Sequence, residues 1–281
     1  MRFCIKTVPF QWNYDHAQYY KEHSICVGTP SFDILSDIEE TTIRERWNIP
    51  NKKPVVGLFA SPFDVSDGDL SGDLYMGSNI LQRLIRVLRT MEISKLKYIF
   101  GHANDKAVVK GIRKFCDEHG AYLVTKLRHS RKATPYVKRY SDVVVGEDGY
   151  HPHTALELYS IVDLTFGSYT AGSIEAIAAG SPYINIDIPL YPKEFYCGDL
   201  ISTLVYSNDH PGVISSMKAA DVADNISRHS FEEFSFDTDK REEYLETYTG
   251  PTDFKSSERF MIAVEHLVKH GNISALKLNE H

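Results

Sequence analysis

The sequence predicts an α/β fold in which helices cover both faces of a doubly wound parallel sheet. From about residue 54 onward, short runs rich in β-branched residues alternate with segments whose apolar residues recur at helical spacing. At 281 residues the chain is also long enough to bury a sizeable core. This alternation is typical of βαβ units, and the ligands of doubly wound sheets bind beyond the carboxyl ends of the strands.

Six short apolar runs are predicted to be the strands of this sheet. They are rich in valine, isoleucine and aromatic residues, which favour strands. In chain order they read PVVGLFA, KLKYIFG, AYLVTKL, DVVVGE, DLTFG and PYINIDI.

Helices are predicted between these strands. The segment before the third strand places Val108, Ile112 and Phe115 on one stripe, and Gly120 follows as a stop signal. Two further segments share the helical period, SNILQRLIRVLRTM and HTALELYSIV.

The two ends of the chain differ from this alternating part. We predict an N-terminal segment and interdomain linker over residues 1–50, and a sheet domain with a C-terminal helix over residues 51–281. The final helix is predicted in SSERFMIAVEHLVKH, where apolar side chains share one face. Those side chains are Phe260, Ile262, Val264 and Leu267.

Composition excludes several classes of function. The net charge of −7 argues against a protein that coats nucleic acid, which needs clustered Lys and Arg. No run of 18 apolar residues and no signal core occur, so we expect a cytoplasmic protein without an integral membrane segment. The cysteines are scattered and form no metal or disulfide pattern, and Cys116 is expected in the core.

A loop of small, hydrogen-bonding residues is predicted between the fifth strand and the next helix. Ser168, Thr170, Gly172 and Ser173 stand at the helix N-terminus, where hydroxyls, backbone N–H groups and the helix dipole suit a phosphate. The same residues could instead cap the helix and permit close packing, and Glu175 in the first turn favours the dipole without any ligand. The residues alone leave both interpretations open.

Basic residues follow the third strand. Lys126, Arg128 and His129 are expected at the carboxyl edge of the sheet, where Arg can bind a diphosphate bidentately and Lys can neutralise it. A solvated basic loop is the alternative interpretation. His102 ends the second predicted strand, and a lone histidine there is also explained by a local hydrogen bond.

The order of these motifs resembles the donor-binding half of GT-B enzymes, which contain two Rossmann-like domains. The likeness runs in separated patches over about residues 25–270. It is stronger for the CDP-glycerol glycerophosphotransferases of the teichoic-acid polymerase type than for UDP-N-acetylglucosamine 2-epimerase. The patches include VGTPSFDIL, TKLRHS, LELYSIVDLTFGSYTAGSIEAIAAGSPYINID and SSERFMIAVEHL.

The resemblance gives roles to the loop after the fifth strand. The glycerophosphotransferases have roughly Asp-Tyr-Ser-Ser here, followed by an acidic residue and then a proline. Thr170 matches the first serine and would contact the donor phosphate, whereas Ala171 replaces the second and could offer only its backbone N–H. Glu175 matches the acidic residue that binds the ribose hydroxyls in the epimerase-like branch.

The family also carries a Leu-Arg-x-His motif at an earlier strand end. Arg128 and His129 match it without the intervening residue. His102 is a rival, because the epimerases have a strand-end histidine followed two residues later by asparagine. Near the C-terminus, Ser257 and Arg259 match a Ser-x-Arg motif that precedes the last helix.

The resemblance therefore implies a metal-independent glycosyltransferase or glycerophosphotransferase. It would bind a CDP- or UDP-linked donor as substrate, need no cofactor, and transfer a sugar or glycerol phosphate to a polysaccharide or teichoic-acid-like acceptor. Glu175 would hold the ribose, and His129 or His102 would transfer a proton. The implied phosphate-binding residues are Lys126, Arg128, Ser168, Thr170, Ala171, Gly172 and Ser173.

The acceptor side of GT-B enzymes lies in the N-terminal domain, and the resemblance begins near the linker. A missing acceptor domain or a partner subunit is therefore implied, and a membrane-borne acceptor would make the protein membrane-peripheral. Two alternatives stay open. One is an enzyme like UDP-N-acetylglucosamine 2-epimerase, and the other is a non-catalytic nucleotide-binding half.

Overall fold

The structure, a computed structural model, describes eight stretches of the chain. They are residues 10–11, 25–59, 64–66, 105–128, 131–146, 154–168, 172–187 and 210–271. The β-strands in these stretches are β1 (Phe10–Gln11), β2 (Ile25–Cys26), β3 (Val55–Phe59), β4 (Asp64–Ser66), β5 (Tyr122–Lys126), β6 (Arg131–Ala133), β7 (Val143–Val145), β8 (Leu164–Gly167), β9 (Tyr183–Asp187) and β10 (Ile214–Lys218). The α-helices are α1 (Glu40–Arg46), α2 (Asp105–His119), α3 (Pro135–Tyr140), α4 (Thr154–Tyr159), α5 (Gly172–Ala178), α6 (Ala219–Asn225), α7 (Thr238–Thr249) and α8 (Ser256–His270).

Six strands form one parallel sheet in the order β10-β9-β8-β3-β5-β7. The first strand of this sheet along the chain is β3, which lies in the middle. The chain then continues outward through β5 to β7 and returns to β8, on the other side of β3. This is the doubly wound, Rossmann-like arrangement, and it confirms the predicted fold class.

Five of the six predicted strands are present in this sheet, as β3, β5, β7, β8 and β9. The remaining one, KLKYIFG, lies outside the described residues. Among the described residues, the sixth strand of the sheet is β10, which was not predicted from the sequence. Its sequence, ISSMK, alternates between buried or half-buried and exposed residues and has no run of β-branched residues.

Helices cover both faces of the sheet. On one face, Ile112 and Phe115 of α2 and Val222 of α6 pack with Val56 and Leu58 of β3 in a buried cluster. The stripe predicted for α2 is thus confirmed, and Gly120 follows the helix.

On the opposite face, a second cluster joins Ile43 of α1 and Leu158 of α4 to Val55 and Val124 of the sheet. A third cluster lies beside it and contains Ile177 of α5 together with buried residues of α7. The strands are therefore covered on both faces, as a parallel sheet requires.

The N-terminal segment is held to the last helix by polar contacts. The Asp33 carboxylate accepts hydrogen bonds from the backbone N–H groups of Ser256 and Ser257, at 3.0 and 2.6 Å. The buried Arg259 side chain donates to the Val27 carbonyl at 3.1 Å and to Asp253 at 2.8 Å.

The inner face of α8 differs from the predicted one. Arg259 and Ala263 are its buried residues beyond the first position, while the predicted Phe260 and Ile262 are only partly buried. Arg259 replaces an apolar residue there because its guanidinium satisfies a buried carbonyl of the N-terminal segment. Within the described residues, no helix is both long and apolar enough to cross a membrane.

Candidate functional site

The topological switch point of the sheet lies at the carboxyl ends of β3 and β8. These two strands are neighbours, but the chain leaves β3 in one direction and arrives at β8 from the other. At such a switch point the connections after the two strands diverge, which opens a space that ligands of α/β sheets occupy.

Lys126 and Glu175 come together at this edge of the sheet. Lys126 is the last residue of β5, and Glu175 lies in the first turn of α5, directly after β8. Because β5 and β8 both pair with β3, the two residues lie on either side of the β3 end, where Phe59 is paired with Lys126. The positive charge of Lys126 acts on the Glu175 carboxylate. The structure therefore joins two residues that the sequence placed 49 positions apart.

Burial raises the pKa of Glu175, and the charge of Lys126 opposes this rise only in part. The carboxylate is half-buried and lies close enough to Tyr159 for its charge to raise the pKa of the phenol. The pKa of Tyr159 is raised mainly by complete burial and also by its neighbour Tyr183. Glu175 is thus an incompletely compensated carboxylate in a poorly hydrated site.

Tyr159, the neighbour of Glu175, is stacked on a second aromatic ring. Phe59, at the end of β3, stacks on Tyr159 of α4 with ring centroids 3.9 Å apart and planes 12° apart. Neither residue was predicted from the sequence, because nothing in their local pattern separates them from ordinary core residues. Only the return of the chain to β8 brings α4 next to the end of β3.

The Lys126 ammonium is held at the sheet edge by the backbone. Its Nζ donates to the Leu127 carbonyl at 2.5 Å. It also lies near Gly146, at the end of β7, where a Cβ atom would come within 3.6 Å of Nζ. These contacts keep the charge over the carboxyl ends of β5 and β7.

The other basic residues predicted for the site follow β5 in the sequence. Arg128 is exposed two residues after β5, and His129 lies outside the described residues. The basic stretch then enters β6, which pairs antiparallel with β4. His102, the rival proton-transfer residue, also lies outside the described part of the chain.

The loop after β8 is described at both of its ends. The buried Ser168 hydroxyl donates to the Ile186 carbonyl at 2.9 Å, which ties the end of β8 to β9. The Ser168 hydroxyl is thus bonded to the sheet backbone. Gly172 and Ser173 are buried at the start of α5, whereas Thr170 and Ala171 lie outside the described residues.

Gly167 allows β9 to approach the end of β8. A Cβ atom at this position would overlap the hydroxyl of Tyr183 and come within 2.9 Å of its Cζ. Any larger residue at this position would therefore require the Tyr183 ring to move.

No family model matches the chain, and no curated protein matches it. The solved structures that resemble it include the wall teichoic acid polymerase TagF. One TagF structure aligns with a TM-score of 0.54 at 13% identity, and another with a TM-score of 0.52 at 14% identity. The first alignment covers 93% of this chain and the second 97%, and each covers 58% of the TagF chain.

A looser likeness links the chain to a UDP-GlcNAc 2-epimerase from Methanocaldococcus jannaschii, solved with UDP-GlcNAc and UDP. It has a TM-score of 0.38 at 12% identity over 87% of this chain and 55% of the epimerase. At such identities the likeness to TagF concerns the fold. The chain spans little more than half the length of TagF, and the predicted resemblance in fold to GT-B proteins is confirmed.

Proposed function

We propose that this chain is the donor-binding half of a GT-B transferase whose donor is activated by a nucleotide diphosphate. The observation that carries the proposal is the position of Lys126 and Glu175 on either side of the β3 end, at the switch point of the sheet. The positive charge of Lys126 suits the diphosphate, and the carboxylate of Glu175 suits a sugar hydroxyl. The TagF fold supports the same class of protein.

In this proposal the Glu175 carboxylate accepts hydrogen bonds from the ribose hydroxyls. Burial alone disfavours its charged form, as the raised pKa indicates. Two hydroxyl donors would stabilise that charged form when the nucleotide binds. Part of the binding free energy would thus come from hydrogen bonds to a buried carboxylate that lacks full compensation in the unliganded protein.

The diphosphate would lie between the basic edge and the loop that precedes α5. Lys126 and Arg128 supply positive charge, and the loop supplies the Thr170 hydroxyl and the backbone N–H groups of Ala171 and Gly172. The negative charge that develops on the departing nucleotide is stabilised by groups already in place. Side-chain charges would then do what a metal ion does in other transferases.

The transferred group in this proposal is a sugar or glycerol phosphate, and the acceptor is a polysaccharide or a teichoic-acid-like polymer. His129, or His102 in its place, would transfer the proton. The acceptor side would come from a further domain or from a partner subunit. The chain would work without a cofactor, since the CDP- or UDP-linked donor is its substrate.

Calorimetric titration of the chain with CDP-glycerol, UDP-N-acetylglucosamine, CMP and UDP tests the proposal. We expect binding of at least one nucleotide, and no binding at millimolar concentration would overturn it. Glu175→Gln and Lys126→Met should each weaken binding about tenfold or more, the effect of losing one hydrogen bond or contact to a charged group. Glu118→Gln is the matched control, because Glu118 is exposed on α2 and pairs with Lys114 at 3.6 Å.

Turnover distinguishes the alternatives. Donor consumption that depends on an added acceptor supports a transferase. Release of UDP from UDP-N-acetylglucosamine without an acceptor would favour the epimerase-like enzyme instead. Tight nucleotide binding with no turnover, even with an acceptor and candidate partner present, would favour a non-catalytic half.

A further inference from the structure

Arg241 of α7 connects this helix to the end of α5. Its Nε donates to the Ile177 carbonyl at 2.9 Å, and its Nη2 donates to the Ala178 carbonyl at 3.1 Å. The guanidinium also lies over the ring of Phe236, 5.4 Å from the centroid. Burial lowers the pKa of Arg241, and the charge of Glu242 opposes the shift.

These two bonds add donors at the C-terminal end of α5. The Ile177 carbonyl also accepts the backbone N–H of Gly180 at 3.2 Å, and the Ala176 carbonyl accepts that of Ser181 at 2.9 Å, so the chain closes this end of the helix itself. The bonds from Arg241 attach the closed end to α7. Next to the bonds, buried Tyr244 and Leu245 of α7 pack in the same cluster as Ile177. Arg241 therefore links the C-terminal end of α5 to α7 by two hydrogen bonds. The other contacts between these helices in this cluster are apolar.

The other end of α5 carries the candidate site. The helix has only seven residues, and Glu175 precedes Ile177 by two positions. A helix this short moves as one piece, because about two turns separate its ends. A tilt or shift at Ile177 and Ala178 therefore displaces the Glu175 carboxylate relative to β5.

We propose that Arg241 is a positioning residue that sets how deeply the Glu175 carboxylate is buried. The proposal rests on the proposed function for its effect on nucleotide binding. Its structural part, the control of the Glu175 environment, stands on the contacts of Arg241 alone. Arg241 itself is assigned no contact with the ligand.

The groups around Glu175 make its titration a sensitive measure of that position. Lys126 approaches from β5, and Tyr159 approaches from α4 with Tyr183 of β9 behind it. Burial is the larger influence on the carboxyl group and Lys126 the smaller one. A less constrained α5 should therefore let water reach Glu175 and bring its pKa down towards the ordinary glutamate value of 4.5.

The test measures the titration of Glu175 in the unliganded protein by carbon NMR with labelled glutamate, and Glu175→Gln identifies the signal. Arg241→Lys keeps a cationic donor, and Arg241→Met keeps an unbranched side chain without the donors or the charge. We expect the Glu175 pKa to fall in both variants, with the larger fall in Arg241→Met. Folding of each variant is checked by circular dichroism, and Arg241→Lys serves if Arg241→Met does not fold.

Arg44→Lys is the matched control. Arg44 is also a buried guanidinium that binds backbone carbonyls, those of Pro50 and Lys53, at 3.0 and 3.2 Å, but it lies on α1. An unchanged Glu175 titration in folded Arg241→Lys would overturn the proposal. An equal fall in Arg44→Lys would also overturn it, since the effect would then be general loosening.

Nucleotide titrations separate this proposal from the proposed function. If the wild-type chain binds a nucleotide, Arg241→Lys should weaken binding about tenfold and shift its pH profile, while Arg44→Lys leaves both unchanged. If no nucleotide binds, the proposed function fails, but the Glu175 titration still decides the role of Arg241.

Discussion

The carboxylate of Asp33 lies 3.0 Å from the backbone nitrogen of Ser256, a residue 223 positions later in the chain. It accepts that N–H and the next one at the N-terminus of α8, so a residue of the N-terminal segment caps the C-terminal helix. A negative charge at this end also interacts favourably with the helix dipole.

Removing this long-range cap should destabilise the protein. We expect Asp33→Ala to lower the free energy of unfolding by about 1–2 kcal/mol, because two N–H groups of α8 lose their acceptor. Asp33→Asn should lower it less, since the amide oxygen can still accept one bond. Urea denaturation measures the change, and Asp37→Ala, at an exposed neighbouring aspartate, is the control. An equal loss in both alanine variants would contradict the cap.

Gly28 should tolerate no larger residue beside this contact. Its φ is +85°, and a Cβ atom would overlap the Ser256 hydroxyl and come within 3.2 Å of Arg259. We expect Gly28→Ala to cost about 2 kcal/mol from backbone strain and displacement of these side chains. Gly120→Ala separates the two causes, because φ there is +63° and nothing lies within 4 Å of the added atom. It should cost about 1 kcal/mol in the same denaturation measurement.

Glu175→Gln should stabilise the unliganded protein at neutral pH. The raised pKa of Glu175 means that the folded protein holds its proton more tightly than the unfolded chain. Stability is therefore lost as the pH rises from the ordinary value of 4.5 through the folded pKa, and glutamine removes that loss. The melting temperature of Glu175→Gln should exceed that of wild type at about pH 7, and the difference should shrink below pH 4.5. A constant difference at all pH values would show that packing, not charge, is responsible.

Cys116 should resist alkylation in the native protein. Its side chain is fully buried in the core, and this burial raises the pKa of the thiol to about 12, although Arg113 opposes the shift. The reactive thiolate is therefore scarce at about pH 8, and reagent cannot reach it. Mass spectrometry after iodoacetamide treatment should find Cys116 modified only after denaturation. Rapid labelling of the native protein would contradict this burial.

Local patterns predicted the elements whose buried residues follow a regular sequence pattern. The β-branched run of β3 and the stripe of α2 were recognised because burial repeats at the period of the element. β10 was not predicted, because a half-exposed edge strand has no such run of β-branched residues. The acidic stretch that forms α7 gave little helical signal, although Tyr244 and Leu245 in it are buried.

The candidate site was predictable in part. Glu175, Lys126 and the loop near Ser168 were picked out by residue type and by position after strands. Their mutual arrangement was not predictable, and neither were Phe59 and Tyr159, whose stacking depends on packing between distant elements.

Residue patterns alone predicted a parallel α/β sheet, five of its described strands and the edge at which chemistry is expected. These depend on local periodicity and on the rule that parallel strands end at one side. Three relationships depend on tertiary packing: the charge of Lys126 acts on Glu175, Ser168 bonds to the backbone of β9, and Arg241 bonds to the end of α5. Each of these contacts joins residues far apart in the chain, and the energy of such a contact exists only once the sheet has brought them together.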